Sequence, residues 1–162
     1  MAIFKVERMS RDHNLLDKLI YIRDPQASPV ELTYTSYVSD INVFEEMMLI
    51  KKIYKTPSNN TLEGRQFFDY ELSLPENESS RLNDFIGCVK EVTEFLSNLQ
   101  GKSYQTISCI HTNTDNLHVH ILMNNIDMLE GTRLNVSYGM LCNMKDVIDP
   151  ILIKYGFEPI LR

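Results

Sequence analysis

The chain has 162 residues, of which 43% are hydrophobic and 23% are charged, a composition typical of a globular protein rather than a disordered or fibrous one. No apolar run approaches the roughly 18 residues of a membrane helix, and the N-terminus does not resemble a secretory signal, so we expect a cytoplasmic protein without membrane insertion. The net charge of -6 counts against a nucleic-acid partner. However, nine Lys and Arg balance nine Asp and Glu up to residue 65, which places any anionic ligand toward this first part.

Short polar, turn-prone segments separate the helical and extended patterns along the chain. In chain order these patterns predict a strand at about Ile3–Glu7, a helix at Arg11–Ile22, a strand at Glu31–Val38, a helix at Ile41–Tyr54, a strand at Gln66–Leu74, a helix at Ser79–Leu99, two strands at Tyr104–His111 and Leu117–Asn125, and a helix at Tyr138–Tyr155. The irregular order and the hairpin favour an α+β fold, an antiparallel β-sheet with helices packed on it. We expect one domain over residues 1–162, which could be the N-terminal part of a longer protein.

Three of the four histidines lie within ten residues of each other, at the predicted hairpin. Alternate side chains of a strand share a face, so His118 and His120 point the same way, and the turn brings His111 back toward them. Three neutral imidazoles in this arrangement can hold a divalent cation and leave positions open for phosphate oxygens and water. The alternative is a set of half-exposed sheet histidines without a metal. The triad itself does not choose between manganese, magnesium and zinc.

The first predicted helix carries an apolar stripe of Leu15, Leu16, Leu19 and Ile20. At 100° per residue Tyr21 lies about opposite the centre of this stripe, so we expect its hydroxyl in a polar cleft or in solvent. Lys18 lies one turn back on the same face and could favour a nearby phosphate or phenolate. The alternative is an ordinary surface tyrosine.

In the predicted strand around residue 70, bulky residues alternate with Asp69, Glu71 and Ser73, so one face is polar. If this strand neighbours the histidine strands, it could supply a carboxylate that orients a ligand and a hydroxyl that binds phosphate. The alternative is a plain solvated face, which we favour for Glu71.

Four segments together resemble the relaxase domain of conjugative and mobilisable elements, in particular the MobP class of the His-hydrophobe-His endonucleases. LLDKLIYIRDP (residues 15–25) resembles the first relaxase motif, FFDYELSLP (residues 67–75) the second, and HTNTDNLHVHILMN (residues 111–124) the third. The late segment TRLNVSYGMLCNMKDVIDPILIKYGFEPI resembles the ending of such domains. The third motif carries the resemblance most specifically.

The resemblance implies a relaxase fold and a bacterial enzyme that nicks and rejoins one DNA strand at an origin of transfer, in conjugation or mobilisation. It makes Tyr21 the nucleophile, which forms a 5'-phosphotyrosine adduct and frees a 3'-hydroxyl, and makes His111, His118 and His120 the metal ligands. It makes Ser73 a DNA contact. Asp69 stands where many relatives have a histidine, and Asn113 where an acidic residue is common, so Asp69 and Asp115 are candidates for orienting a ligand histidine or the tyrosine.

The scissile strand has to be single or locally melted, because a phosphate of an intact duplex does not easily reach a buried cation. Further partners implied by the resemblance are accessory DNA-binding proteins and a coupling protein. Candidate backbone contacts are basic residues, and Tyr54 could stack on a base. The basic candidates are Lys5, Arg8, Lys18, Lys51, Lys52, Lys55 and Arg65.

Three other functions remain open. A rolling-circle replication initiator uses the same chemistry but generally places its tyrosine after the histidine motif, whereas Tyr21 precedes it. A metal-dependent hydrolase would use the triad to activate water, although no glutamate base is evident beside it. A DNA-binding module without activity would bind its origin without becoming attached to it.

Overall fold

In a computed structural model, which describes residues 1–7 and 14–162, the backbone forms an α+β structure. In chain order the elements are β1 (Ile3–Val6), α1 (Leu15–Ile22), β2 (Thr33–Ser36), α2 (Val43–Tyr54), β3 (Phe67–Ser73), α3 (Leu82–Ser97), β4 (Thr106–His111), β5 (His118–Asn124) and α4 (Tyr138–Lys154). The strands described form one antiparallel sheet in the order β1-β3-β5-β4-β2. The predicted fold class is therefore confirmed.

The predicted elements all occur, with differences at their ends. The strand predicted from residue 31 is shorter, because a 3₁₀ turn at Val30–Leu32 precedes β2 and Tyr37 takes a positive φ of 60° just after it. The predicted start of the first helix at Arg11 and the candidate contact Arg8 lie outside the described residues. Within the described part of the chain, no helix combines the length and apolarity that crossing a membrane requires.

The sheet has an apolar core on each face, because successive side chains of its central strands point to opposite sides. On one side Val119, Ile121 and Met123 of β5 pack with α3 and α4. On the other side Leu122 of β5 and Ile107 of β4 pack with α1 and α2. His118 and His120 alternate with the first set, so they lie on the face that α1 covers.

Helix α1 begins at a side-chain cap, where Asn14 accepts a hydrogen bond from the Asp17 amide. Its buried stripe consists of Leu15, Leu19 and Ile22. The stripe predicted from the sequence was wrong in two positions, since Leu16 and Ile20 are 45% and 64% exposed. The helix is rotated about its axis so that Ile22 enters the core, which brings the C-terminal end of α1 against β4.

Candidate active site

The three histidines predicted to form a cluster meet at one end of the sheet, on the face covered by α1. His111 is the last residue of β4 and pairs directly with His118, the first residue of β5. The ring centroid of His111 lies 5.1 Å from that of His118 and 4.8 Å from that of His120. The ring centroids of His118 and His120 are 5.4 Å apart. One ring nitrogen from each lies within 4.8 Å of the other two.

Each imidazole uses one nitrogen in a hydrogen bond within the protein. His111 Nε2 lies 2.9 Å from the Ile22 carbonyl oxygen, and His118 Nδ1 lies 3.0 Å from the Asn116 carbonyl oxygen. Since a carbonyl oxygen only accepts, both of these nitrogens carry the proton. His120 Nδ1 faces the Asp69 carboxylate at 3.3 Å, which favours the proton on that nitrogen as well. The lone pairs of His111 Nδ1, His118 Nε2 and His120 Nε2 therefore remain available to a ligand.

These free nitrogens fit a divalent metal ion. Neutral imidazole is a common ligand of such ions, and a hydrogen bond on the opposite nitrogen fixes the tautomer and the orientation of the ring. Burial lowers the pKa of His111, although the Ile22 carbonyl acts in the opposite direction, and so favours the neutral ring that can bind a metal. Three imidazoles fill part of a coordination shell, so a divalent ion held here keeps open positions.

Asp69 connects the triad to helix α1. Its side chain is fully buried, with one carboxylate oxygen at His120 and the other in an ion pair with Lys18, at 2.7 Å from Nζ. The structure thus brings Asp69 to a ligand histidine, as the second relaxase-like segment suggested.

Tyr21 lies beside the triad. Its ring centroid is 5.7 Å from that of His120 and 6.1 Å from that of His111. The side chain is 57% exposed, and Lys18 Nζ lies 4.9 Å from the centre of its ring. Because Ile22 bonds His111 through its carbonyl oxygen, the last turn of α1 is attached directly to the histidine cluster. The exposed tyrosine ring therefore lies next to two of the three clustered imidazoles.

Strand β3 places two further side chains on this face. Ser73 is directly paired with His118, and Glu71 with His120. Lys5 of β1 approaches Glu71 at 3.4 Å and Glu7 at 2.8 Å. The position of Glu71 was missed by the sequence analysis, which took it for a solvated residue. The alternation in β3 places it on the polar face, but only the register with β5 puts it opposite His120.

Asp115 is not part of this cluster. It lies in the exposed loop between β4 and β5, and its side chain makes no hydrogen bond or ion pair with the described residues. Of the two carboxylates considered for orienting a ligand, only Asp69 contacts one, so the geometry does not support that role for Asp115.

Lys51 was expected to contact DNA, and the structure corrects this expectation. Its side chain is fully buried, and Nζ donates to the Gln66 carbonyl oxygen at 2.6 Å, to Asn124 Oδ1 at 2.5 Å and to Asn125 Oδ1 at 2.6 Å. Burial and, to a smaller extent, the charge of Arg133 lower its pKa to about 7. Its ammonium is enclosed in the protein and is not presented to a phosphate.

The other predicted DNA contacts of this region lie away from the triad. Tyr54 packs its ring against Gly131 and donates its hydroxyl hydrogen to the Met128 carbonyl, so the ring is not free to stack on a base. Arg65 lies over Phe68, on the sheet face opposite the histidines. Lys52 and Lys55 are exposed near the end of α2 that contacts the last residue of β5.

The chain matches the family model of the MobA/VirD2-like relaxase nuclease domain over residues 21–157. The comparison with curated proteins found no significant match. Its fold resembles three crystal structures of the Mn-bound MobM relaxase domain (MOBV; Mob_Pre) bound to plasmid pMV158 oriT DNA. At pH 5.5 the identity is 10% and the TM-score 0.68, over 99% of this chain and 90% of that one. For the structure at pH 6.5 the sequence identity is 14% and the TM-score is 0.65, and the match covers 98% of this chain and 87% of the MobM chain. For the structure at pH 6.8, with a 3'-thiophosphate DNA, the sequence identity is 12% and the TM-score is 0.65, and the match covers 99% of this chain and 89% of the MobM chain. The family match covers most of the chain, and the chain therefore belongs to the MobA/VirD2-like relaxase family.

Proposed function

We propose that this protein is a metal-dependent relaxase that nicks one strand of an origin of transfer through Tyr21 and can rejoin it, for conjugative transfer or mobilisation. The observation that carries the proposal is the exposed Tyr21 beside three imidazoles, each with one ring nitrogen within 4.8 Å of the other two. The MobM structures of the same fold, bound to oriT DNA and Mn, support DNA of an origin of transfer as the partner.

The reaction is a transesterification. The Tyr21 oxygen attacks the scissile phosphorus and forms a new P–O bond, while the bond from phosphorus to the 3'-oxygen breaks. The phenol loses its proton, and the departing 3'-oxygen gains one. The product has its 5' end joined to Tyr21 and a free 3'-hydroxyl. Since the number of phosphoester bonds is unchanged, attack by that hydroxyl on the adduct restores the strand.

His111, His118 and His120 would hold a divalent ion, which would supply positive charge to stabilise the non-bridging phosphate oxygens. Asp69 and the carbonyl oxygens of Ile22 and Asn116 keep the three rings in the tautomer that binds it. Ser73, whose backbone is paired with that of His118, donates a hydrogen bond to a phosphate next to the nick in this proposal.

Both oxygens of Asp69 are directed at protein groups: Oδ1 faces His120, and Oδ2 forms an ion pair with Lys18 without hydrogen-bond geometry. The Tyr21 side chain is more than half exposed, so the phenol can release its proton to water. Asp69 therefore acts on the triad and on α1 rather than on the proton of the nucleophile.

Covalent capture tests the proposal. A labelled single-stranded origin oligonucleotide, incubated with Mn²⁺ and run on a denaturing gel, is expected to shift to the size of a protein adduct. Tyr21→Phe should abolish the adduct without changing Mn²⁺ affinity, whereas the matched variant Tyr37→Phe, at the far edge of the sheet, should retain it. An adduct that persists in Tyr21→Phe and disappears in a Tyr34→Phe or Tyr37→Phe variant would assign the nucleophile to another tyrosine.

A metal-dependent hydrolase is the second candidate, because Glu71 lies opposite His120 and could serve as a base for water. It would release a free 5'-phosphate or 3'-phosphate and leave no protein on the DNA. A rolling-circle initiator would also form the adduct, so the capture experiment separates it from a relaxase only through the origin that is cleaved. Capture by DNA from an origin of transfer and not by a replication origin is the result that we expect.

A further inference from the structure

Lys18 occupies a central position between the nucleophile and the metal ligands. Its Nζ lies 2.7 Å from Asp69 Oδ2 and 4.9 Å from the centre of the Tyr21 ring. Asp69 Oδ1 in turn faces His120, and the His120 ring lies 5.7 Å from that of Tyr21. Each of these four side chains, Lys18, Asp69, His120 and Tyr21, therefore lies next to two of the others.

We propose that Lys18 is a positioning residue, which neutralises Asp69 and holds Tyr21 against the triad, and that it is not a contact to the DNA backbone. The proposal rests on the proposed function in that it takes Tyr21 as the nucleophile. It concerns a residue that the sequence places among the basic DNA contacts and that the structure engages elsewhere.

The burial of Asp69 is the first reason. A fully buried carboxylate is costly unless an opposite charge and hydrogen bonds compensate it. The other described lysine of this flank, Lys5, is engaged with Glu7 and Glu71. Among the residues that the structure describes, Lys18 is thus the lysine or arginine that pairs with Asp69, and only 18% of its side chain is exposed.

The helix geometry is the second reason. Lys18 and Tyr21 are three residues apart on α1, so their side chains are neighbours on one face. The ammonium over the ring makes a cation–π contact that restricts the positions open to the phenol. Since Asp69 belongs to β3, the ion pair also fixes this face of α1 to the sheet. A nucleophile displaced by about 1 Å can lose about 100-fold in rate.

The experiment compares rate with affinity. Lys18→Met, Lys18→Arg and the matched control Lys90→Met, an exposed lysine on the opposite side of the sheet, are assayed for adduct formation in single turnover at saturating oligonucleotide. Affinity for an uncleavable analogue of the oligonucleotide is measured at two salt concentrations. For Lys18→Met we expect a rate lower by roughly 10- to 100-fold, with affinity and its salt dependence nearly unchanged. Lys18→Arg should recover most of the rate.

A backbone contact would give the opposite pattern, and this outcome would overturn the proposal. The affinity of Lys18→Met would then fall and its salt slope would decrease by about one, while the rate at saturation would stay unchanged. The Lys90→Met control should match the natural protein in both measurements.

A second measurement needs no DNA, so its failure is distinct from failure of the proposed function. The unfolding equilibria of Lys18→Met, Asp69→Asn and the double variant form a double-mutant cycle. We expect a coupling of roughly tenfold in the unfolding equilibrium constant, because the first substitution leaves a buried charge that the second removes. Additive effects of the two substitutions would show that the ion pair does not hold α1, and would overturn the proposal even if the natural protein forms the adduct.

Discussion

The two ends of one sheet face carry buried polar clusters with opposite properties. His118 begins β5 and Asn124 ends it, on the same face and about 20 Å apart at the usual rise of a strand. The histidines and Tyr21 lie at the first end, and Lys51 lies at the second. Both ends combine buried or half-buried polar groups with an adjoining helix, so polarity and burial alone do not distinguish them.

The difference lies in unused bonding capacity. The Lys51 ammonium has three acceptor oxygens at 2.5–2.6 Å from Nζ, one for each of its hydrogens, so its hydrogen bonds are all made within the protein. Each histidine has one nitrogen bonded within the protein and one free, and the three rings cluster with one nitrogen of each within 4.8 Å of the others. A buried polar cluster is therefore a candidate binding site when its hydrogen-bonding groups remain unpaired, and a structural clamp when they are all paired.

The largest effect expected at the Lys51 end is on stability. Lys51→Met leaves the Gln66 carbonyl and the two asparagine amide oxygens without their donor, so the free energy of unfolding should fall by roughly 2–4 kcal/mol. Urea denaturation measures the change. Lys52→Met, one residue along and exposed, should stay within about 0.5 kcal/mol of the natural protein. Equal effects of the two substitutions would contradict the clamp.

The pH dependence of stability also tests the burial of Lys51. Burial lowers the pKa of Lys51 from its ordinary 10.5 to about 7. Between about pH 7 and pH 10 the folded protein therefore releases a proton that the unfolded chain keeps. The free energy of unfolding relative to Lys51→Met should rise with pH across this range, by at most about 1.4 kcal/mol per pH unit. A difference that stays constant would mean that the three oxygens keep the ammonium charged.

At the other end the expected effect is on metal affinity. Alanine at His118 or His120 removes one of three ligands and should weaken Mn²⁺ or Zn²⁺ binding by about 10-fold or more in a calorimetric titration. Lys51→Met is the matched control, since it should lose stability and keep its metal affinity. Titration curves that do not change in the histidine variants would remove the triad from the proposed site.

The smallest effect is expected for the exposed lysines at the end of α2. Lys52→Met and Lys55→Met lie far from the triad, so we expect each to weaken binding of a short oligonucleotide centred on the nick by no more than about twofold. Fluorescence anisotropy at low salt measures this. A tenfold loss would mean that the strand extends over this end of the sheet.

Much of the site could be predicted from the sequence because its information is local. The spacing of His118 and His120 fixes their common face, and a short turn returns His111 to them. The helical period placed Tyr21 and Lys18 on one face of α1, as the structure shows, although Lys18 is largely covered and pairs with the buried Asp69.

The rest depends on contacts between distant segments. The burial of Lys51 results from the packing of α2 over the ends of β3 and β5, and a run of lysines in the sequence gives no sign of it. The place of Glu71 depends on strand register, and the bond from His111 to Ile22 on the docking of α1. The exposure of Leu16 and Ile20 depends on the rotation of that helix, which an apolar sequence of four residues does not determine.

Mass spectrometry of the adduct tests the central claim most directly. After reaction with a short origin oligonucleotide in Mn²⁺, digestion with trypsin should yield the segment Leu19–Arg23, which contains a single tyrosine, carrying the nucleotide on Tyr21. A nucleotide on any other peptide, or cleaved DNA with no nucleotide attached to the protein, would contradict the account.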